Sequence, residues 1–509
     1  MSLLGALDIA SSGLANINRQ LAVVSQNVAN ASTPGYARKT GTQQNLVAGG
    51  LGMGVRSELT GRDLDEQLQQ QLFTQTATVS GLQTRQASLQ AIDAVQGTPG
   101  QGGDIASLLG KLQDAFTTLA SSPDNQTQQS AVVNQAQGLA QGINALSSAY
   151  GTQRQNAEDA IVTDVSALNS SLSTIGTLTN QIMAAKAAGQ NTADLENQRD
   201  AAIQNLAQIT DIKTLKQSNG DLVAVTGNGL VLPVHGPANP FSTTDATTGP
   251  GAYYPGGGIP PVMLGGVDVT SQITGGRLGA NLALRDSILP GLQAQLDEFA
   301  NGLASRFDAQ GLRLFTDPTG AVPASTGAPV QSGYVGFASE IQVNPAVLQQ
   351  PALVRDGTQA VSGNPAGASS FTPNPPGGPA GFNTLISRVL DYALGSEVQS
   401  GVPQPGFNVN RLGATGTISA PFAAPPTLAG FATALVGAQA QQSSATTSTL
   451  SMEQSVQTAL QSKFTAQSGV NIDTEMSTML QLQNAYQANA RVLTAVQQLF
   501  TDLFNAVNP

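Results

Sequence analysis

LDIASSGLANINRQLAVVSQNV, residues 7–28, sets Leu7, Ala10, Leu14, Ile17, Leu21, Val24 and Val28 at the alternating three- and four-residue spacing of a coiled-coil stripe. The other end of the chain repeats the device. Met479, Leu482, Tyr486, Asn489, Leu493, Val496, Phe500 and Leu503 keep that spacing, with Asn489 as a polar intrusion. A lone amphipathic helix is marginal in water, because its stability comes from what its apolar face covers. Burial of each large apolar side chain contributes roughly 1.5–3 kcal/mol, so either seam is useful only with a partner. Two seams at opposite ends predict pairing with each other or with neighbouring copies, and tails of about 40 residues (nearly six heptads) that order fully only on assembly.

Composition narrows the classes. The 509 residues are 40% hydrophobic but only 10% charged, so Ser, Thr, Gln, Asn and Gly supply the polar surface, which suits dense packing of like copies. Net charge is −11 and no basic tract occurs, which argues against nucleic acid and anionic membranes as partners. With no Cys and a single His, disulfides and the common zinc sites are excluded. Met1 to Gly13 holds no Lys or Arg, so a Sec-type signal peptide is not expected. No stretch approaches the roughly 20 apolar residues of a membrane span.

Along the chain, the first helix is predicted to end near Asn30, where Asn27, Asn30, Ser32, Thr33, Pro34 and Gly35 crowd together. Residues 36–62 read as short strands with a Gly-rich turn. Helices follow over the stripes Leu68–Ile92, Ile105–Leu119, Val132–Tyr150, Ile161–Ile182 and Leu195–Ile209. Ile212 to Val225 reads as a hairpin turning at Asn219-Gly220, and Val262 to Val269 as a further strand. Helix returns over Leu289–Phe307, near 345–355 and 383–394, over 427–467, and finally after Asp473, which is expected to cap the last one. The expected fold is mainly α with a β insert: elongated, multidomain, with terminal helices pairing as a coiled coil and a long helical-bundle body. Four parts are expected. Residues 1–62 with 468–509 form a terminal assembly domain, and 63–210 with 275–315 and 384–467 a helical body. Residues 211–274 form an inserted β domain, and 316–383 form Pro/Gly-rich loops and short strands.

Asn27-Val28-Ala29-Asn30-Ala31-Ser32-Thr33-Pro34-Gly35-Tyr36-Ala37-Arg38 resembles the N-terminal signature of bacterial flagellar rod, hook and hook-associated proteins. Gly469-Val470-Asn471-Ile472-Asp473-Thr474-Glu475 and Tyr486-Gln487-Ala488-Asn489-Ala490-Arg491-Val492-Leu493 resemble the matching C-terminal one. Roughly 150 residues of helix after the first seam resemble the FlgK type, the first hook-associated protein, whereas hook and rod proteins pass quickly into β domains. Asn197-Gln198-Arg199-Asp200 and Gly276-Arg277-Leu278-Gly279 resemble internal segments of that family. The short 316–383 region departs from members that carry an additional outer β domain there.

The resemblance implies a structural subunit joining hook to filament, exported unfolded through the flagellar type III channel and located outside the cell in the flagellum. Its implied partners are its own copies in a ring, the hook protein, the next hook-associated protein, and a cytoplasmic export chaperone at the C-terminal helix around 470–509. No cofactor is implied. The assembly interface is assigned to Leu7, Leu14, Ile17, Leu21, Val24, Asn27, Val28, Asn30, Pro34, Gly35, Tyr36 and Arg38, with Ile472, Met479, Leu482, Tyr486, Asn489, Leu493, Val496, Phe500 and Leu503. The alternatives are a hook or distal-rod subunit, or a flagellum-exported surface enzyme or adhesin working through 211–274.

The residues give that last alternative little chemistry. His235, in Leu232-Pro233-Val234-His235-Gly236, reads as a loop histidine rather than a base. Gly49-Gly50-Leu51-Gly52-Met53-Gly54 lacks the strand–loop–helix setting of a dinucleotide loop and reads as a hairpin tip. Gly110-Lys111-Leu112 lacks the hydroxyl a P-loop places after its lysine. Asp63, Asp65 and Glu66 read as charges favoured at a helix start.

Overall fold

The computed structural model describes residues 3–33, 35–48 and 51–507. Helix α1 (Leu3–Ala29) leads into short strands β1 (Lys39–Thr40), β2 (Gln43–Ala48), β3 (Leu51–Ser57) and β4 (Gly61–Arg62). β2 and β3 form a hairpin laid along α1, and β1 pairs with β4 at its base. Helices α2 (Glu66–Gln96), α3 (Ile105–Ser121), α4 (Gln126–Ala187) and α5 (Ala193–Ile209) build the body. Their starts obey the capping rule: the side chains of Asp65, Asp104 and Asn125 each accept from a backbone N–H in the first turn.

Two expected helices are one. α4 runs unbroken for 62 residues, about 90 Å at 1.5 Å per residue. No proline separates the stripes at Val132–Tyr150 and Ile161–Ile182, and the buried Tyr150, Arg154, Ala157 and Glu158 carry the packed face across Gly151.

The next segment holds β5 (Lys213–Lys216), β6 (Leu222–Val225), β7 (Val231–Leu232), β8 (Phe241–Ser242), β9 (Met263–Leu264) and β10 (Val267–Asp268), in two three-stranded antiparallel sheets. The β5–β6 turn is longer than the expected two residues. Lys216 pairs with Leu222, Gln217 N donates to Asp221 O, and Gly220 takes φ +96°. That is a type of loop in which a glycine supplies the left-handed position after a turn. The run expected as one strand over Val262–Val269 folds back at Gly265-Gly266, both at positive φ, to give β9 and β10. These strands share a core with the second half of α4 and with α5: Leu222, Ala224, Leu232, Phe241 and Val262 pack with Ile161, Leu168, Leu172, Ile203 and Leu206.

α6 (Gly276–Ala283) joins α7 (Leu289–Ala309) through a π turn at Leu284–Ile288. Pro290 sits in the first turn of α7 and lacks the N–H that a continuous α-helix would need there. Residues 310–427 hold short elements: β11 (Phe315–Thr316), α8 (Phe337–Glu340), β12 (Gln342–Val343), α9 (Pro345–Gln349), α10 (Leu353–Asp356), α11 (Thr384–Arg388), β13 (Glu397–Gln399) and β14 (Val402–Pro403). Phe315, Tyr334, Phe337, Ile341, Val347, Val354 and Phe371 anchor this stretch in the main core with Phe116, Leu139, Phe299, Phe307 and Phe431. α12 (Leu428–Ser468) returns along α2, and α13 (Ile472–Val507) returns along α1. Asn471 caps α13, its side chain accepting from Thr474 N at 3.1 Å, so the expected cap Asp473 lies inside the helix.

Close helix–sheet approach yields a paired prediction. A Cβ on Gly176 of α4 would sit 2.2 Å from the Val234 carbonyl oxygen, whereas one on Gly151 would meet nothing. Gly176→Ala is expected to cost about 1–3 kcal/mol despite better helix propensity, and Gly151→Ala to add roughly 0.5–1 kcal/mol. Thermal unfolding of both variants checks this, and equal midpoints would contradict the packing.

Candidate functional site: the joint of the terminal helices

Asn27, in the last turn of α1, is 1% exposed and makes a closed set of hydrogen bonds. Its Nδ2 donates to Lys39 O at 2.9 Å and to Glu475 Oε2 at 3.1 Å. Its Oδ1 accepts from Lys39 N at 3.0 Å and from the Tyr36 hydroxyl at 3.1 Å. One amide thereby fixes the chain after α1 and the root of α13. Glu475 is also buried, and its other oxygen accepts from Arg38 Nε at 2.7 Å. Arg38 N donates to Ser468 O at 2.7 Å, and Ser468 Oγ accepts from Asp65 N at 3.0 Å, which ties in the end of α12 and the start of α2.

The same short segment locks onto the body. Asn197 of α5 brackets Ala37, donating to its carbonyl at 3.1 Å and accepting from its N–H at 3.4 Å. Lys39 is 2% exposed and reaches Asp194 and Gln26, each at 2.5 Å. Arg62 forks onto Glu196 at 2.9 Å, Asn197 at 3.0 Å and Asp200 at 2.8 Å. A guanidinium suits this task because its planar donors can hold several acceptors at once. Gly35 takes φ +76° beside Gln204, a conformation an L side chain would resist.

The electrostatics follow from burial and pairing. Burial, then the carboxylates of Asp194 and Glu475, push the Tyr36 phenol up to about 12, so it stays a neutral donor. Burial alone would raise Asp200 and Glu196. Arg62, with Lys216 beside Asp200, and with Thr192 and Lys186 beside Glu196, holds both carboxyls below the usual range. A lowered folded-state value stabilises above the unfolded value, near pH 4, and that stability is lost as pH falls through the folded value. The joint is therefore expected to be constant above about pH 5 and to open below about pH 4. Pepsin cleavage within 30–62, normalised to a reference peptide, should rise between pH 5 and 3. A flat rate would contradict the account.

The assigned interface residues fall into three groups. Ile17, Val24, Asn27 and Val496 are buried. Leu7, Leu14, Leu21, Val28, Asn30, Gly35, Tyr36, Arg38, Met479, Leu482, Asn489, Leu493 and Phe500 are half-buried. Ile472, Tyr486 and Leu503 are exposed. Pro34 lies outside the described residues, as do Gly49 and Gly50 of the Gly-rich run. Asn489 lies against Gly13, where a Cβ would be 3.4 Å from its Oδ1, so the polar intrusion in one seam meets a residue without a side chain in the other. Sequence reasoning did not assign Lys39, Arg62, Asp194, Glu196, Asn197, Asp200, Ser468 or Glu475. The signal available was the Asn197–Asp200 run, polar residues on the packed side of α5.

Elsewhere, His235 Nε2 lies 2.6 Å from Asp221 Oδ1 in an exposed loop pair. Among the described residues no group of three or more His, Cys, Asp or Glu is placed to hold a metal ion. A cavity of about 180 Å³ near the start of α7 is lined by Asp286 and Asp297. Both carboxyls are already engaged, Asp286 by Arg285 and Asp297 by the N–H groups of Gly336 and Ala338. No described helix is long and apolar enough to cross a membrane.

A joint that binds both chain ends to a helical body is the arrangement of a structural subunit, and the terminal segments match that class. Residues 7–36 match the flagella basal body rod protein model, and 461–506 the C-terminal model of the flagellar basal body rod FlgEFG proteins. Residues 89–319 match the flagellar hook-associated protein FlgK helical domain. Flagellar hook-associated protein 1 of Escherichia coli is 24% identical over 560 aligned residues, covering 97% of this chain and 98% of that one. Its counterpart from Salmonella typhimurium is 28% identical over 316 residues, 59% of this chain and about half (55%) of that protein. The solved flagellar hook junction protein FlgK from Burkholderia pseudomallei aligns at 26% identity with a TM-score of 0.38, over 50% of this chain and 45% of that one. Over its helical body and both terminal segments the chain matches the flagellar hook-associated protein FlgK and rod-protein families, which are structural and not enzymatic.

Proposed function

We propose that this chain is a subunit of the hook–filament junction, holding its neighbours through homotypic and heterotypic packing of its terminal helices. The observation that carries this is where apolar surface stays uncovered. Thirteen of the twenty exposed large hydrophobic side chains among the described residues lie in 3–62 and 472–507, on α1, the β2–β3 hairpin, the link that follows it and α13. A concentration of that kind marks an interaction surface. The joint is rigid enough to present that surface in a fixed attitude to the body.

The proposed partners are copies of this chain in a ring, the hook protein on one side and the next hook-associated protein on the other. An export chaperone takes α13 before transit through the type III channel. The proposed location is the extracellular flagellum. The match of the helical body to the FlgK helical domain supports the junction over the hook or distal rod, whose proteins pass directly into β domains. The surface-enzyme reading draws no support from 211–274, whose strands are bound into a common core with α4 and α5. Domain boundaries at 62/63, 210/211, 274/275, 315/316, 383/384 and 467/468 remain part of this proposal.

Immunogold labelling of an epitope placed in the exposed turn at Ser400-Gly401 tests the reading. Gold confined to the boundary between hook and filament is expected; gold along the hook or rod would overturn it.

A further inference from the structure

Helix α7 is enclosed on nearly every side, so its consecutive acids Asp297 and Glu298 are both interior, at 1% and 5% exposure. Among the described residues no Lys or Arg forms an ion pair with either carboxylate. The arginines of the region are committed elsewhere. Arg154, which borders the same cavity as Asp297, donates to the carbonyls of Arg285, Gly249 and Ala252. Arg306, further along α7, donates to those of Pro426 and Pro405. Two adjacent buried charges of one sign with no counter-ion are costly, and the usual escape is for one of them to take up a proton.

The pair clasps two separate segments to α7. Asp297 Oδ2 accepts from Gly336 N at 2.8 Å, and its Oδ1 from Ala338 N at 3.0 Å and Gln293 Nε2 at 2.9 Å. Glu298 Oε1 accepts from N and Nδ2 of Asn408 at 2.7 and 3.1 Å. Its Oε2 accepts from the Tyr334 hydroxyl at 2.8 Å and Gln331 Nε2 at 3.5 Å. Gln331 Oε1 accepts in turn from Gly413 N at 2.7 Å, so the two segments are tied to each other as well. A carboxylate oxygen offers two acceptor sites. Those of Glu298 and of Asp297 Oδ1 are filled, and only Asp297 Oδ2 has one free. A protonated Oδ2 can still accept from Gly336, so every one of these bonds survives while one of the two buried charges is removed. The neighbouring cavity of about 180 Å³ gives the proton its way in.

We infer that Asp297 and Glu298 form a proton-dependent latch, which takes up one proton at Asp297 Oδ2 in mild acid and then holds 331–338 and 408–413 more firmly on α7. Burial pushes the Asp297 carboxyl up to about 7; the donors from Gly336, Ala338 and Gln293 offset it only in part, and the charge of Glu298 adds to it. Across the cavity stand Arg154 of α4, Asp286 of the π turn, and Tyr253 and Tyr254 of the β8–β9 link. Tyr334 faces the pair from the clasped segment, while Glu340 and Arg411 beside it are exposed. The folded chain keeps a proton that the unfolded chain releases near pH 4, so the latch is strongest below about pH 4 and loosens as pH rises to about 7. Its response is thus opposite in sign to that of the joint, which opens in acid. Nothing in it depends on the junction reading.

With one His and no Cys, the chain has few ordinary groups that titrate between about pH 8 and 5, which permits a clean test. Burial also pushes up Glu158 and Asp164, so the reading is the difference between two chains. Full-length natural protein is compared with Asp297→Asn. On going from about pH 8 to about pH 5, the thermal midpoint of the natural chain should gain about 2–3 °C relative to the variant. Potentiometric titration of the folded chains over that range should count about one proton fewer in the variant. Amide exchange at 331–338 and 408–413, corrected for the intrinsic effect of pH, should slow on acidification in the natural chain alone. Equal midpoint shifts and equal proton counts would overturn the latch. Should Asp297→Asn fail to fold, Glu298→Gln decides: proton uptake moved to lower pH is expected, and uptake at an unchanged pH would overturn the coupling of the pair.

Discussion

Arg285→Ala is expected to destabilise the body by about 3–5 kcal/mol, the range found when one member of a buried ion pair is removed. Arg285 lies in the π turn between α6 and α7 with its side chain fully buried. It meets Glu158 of α4 at 2.7 Å, clasps both oxygens of Asp286 at 2.8 and 2.9 Å, and reaches Pro260 O at 3.3 Å. Its own carbonyl accepts from Arg154 Nε at 2.8 Å. The side chain thus joins α4, the π turn that precedes α7 and the segment leading to β9. Burial pushes the Glu158 carboxyl up even with the guanidinium present, so without it Glu158 would be a buried, uncompensated acid. The midpoint of thermal unfolding should fall by about 3–6 °C. Arg285→Lys should recover only part of the loss, because an ammonium cannot fork onto two carboxylates. A midpoint within a degree of the natural chain would show that the cluster does not hold the body together.

The second large effect is expected at the joint. Glu475→Ala removes the acceptor shared by Asn27 and Arg38, and hydrogen bonds to a charged group contribute about 1.5–3 kcal/mol each. Arg38 is about one-third exposed and can turn to water, so the expected loss is about 2–3 kcal/mol. It should appear locally as roughly 30- to 150-fold faster amide exchange at the root of α13 and over 36–40. The body protected by Phe299, Phe307 and Phe431 should exchange at its former rate. Unchanged exchange at 36–40 would mean the joint is held by α5 alone, through Asn197 and Lys39.

The parts legible in the sequence were those written in local periodicity. The heptads of α1 and α13 and the acidic start of α2 follow from neighbours within a few residues. What escaped depends on residues far apart. Arg38 meets Glu475 across 437 positions and Arg62 meets Asp200 across 138, and no local pattern couples them. α4 read as two helices because its apolar stripe is interrupted by Arg154 and Glu158, which are buried only because Arg285 and nearby carbonyls satisfy them. Asp473 read as a cap because it is a good one in isolation, yet Asn471, two residues earlier, holds the position. Among the interface residues, periodicity found the seam but could not say which members α1 would cover. Ile472, Tyr486 and Leu503 stay exposed, available to a neighbour.

Electron microscopy of flagella from cells lacking this gene, with the culture medium assayed for unpolymerised flagellin, tests the central claim most directly. A subunit of the hook–filament junction predicts complete hooks that bear no filaments, with flagellin released into the medium. Cells that still carry intact filaments would contradict it.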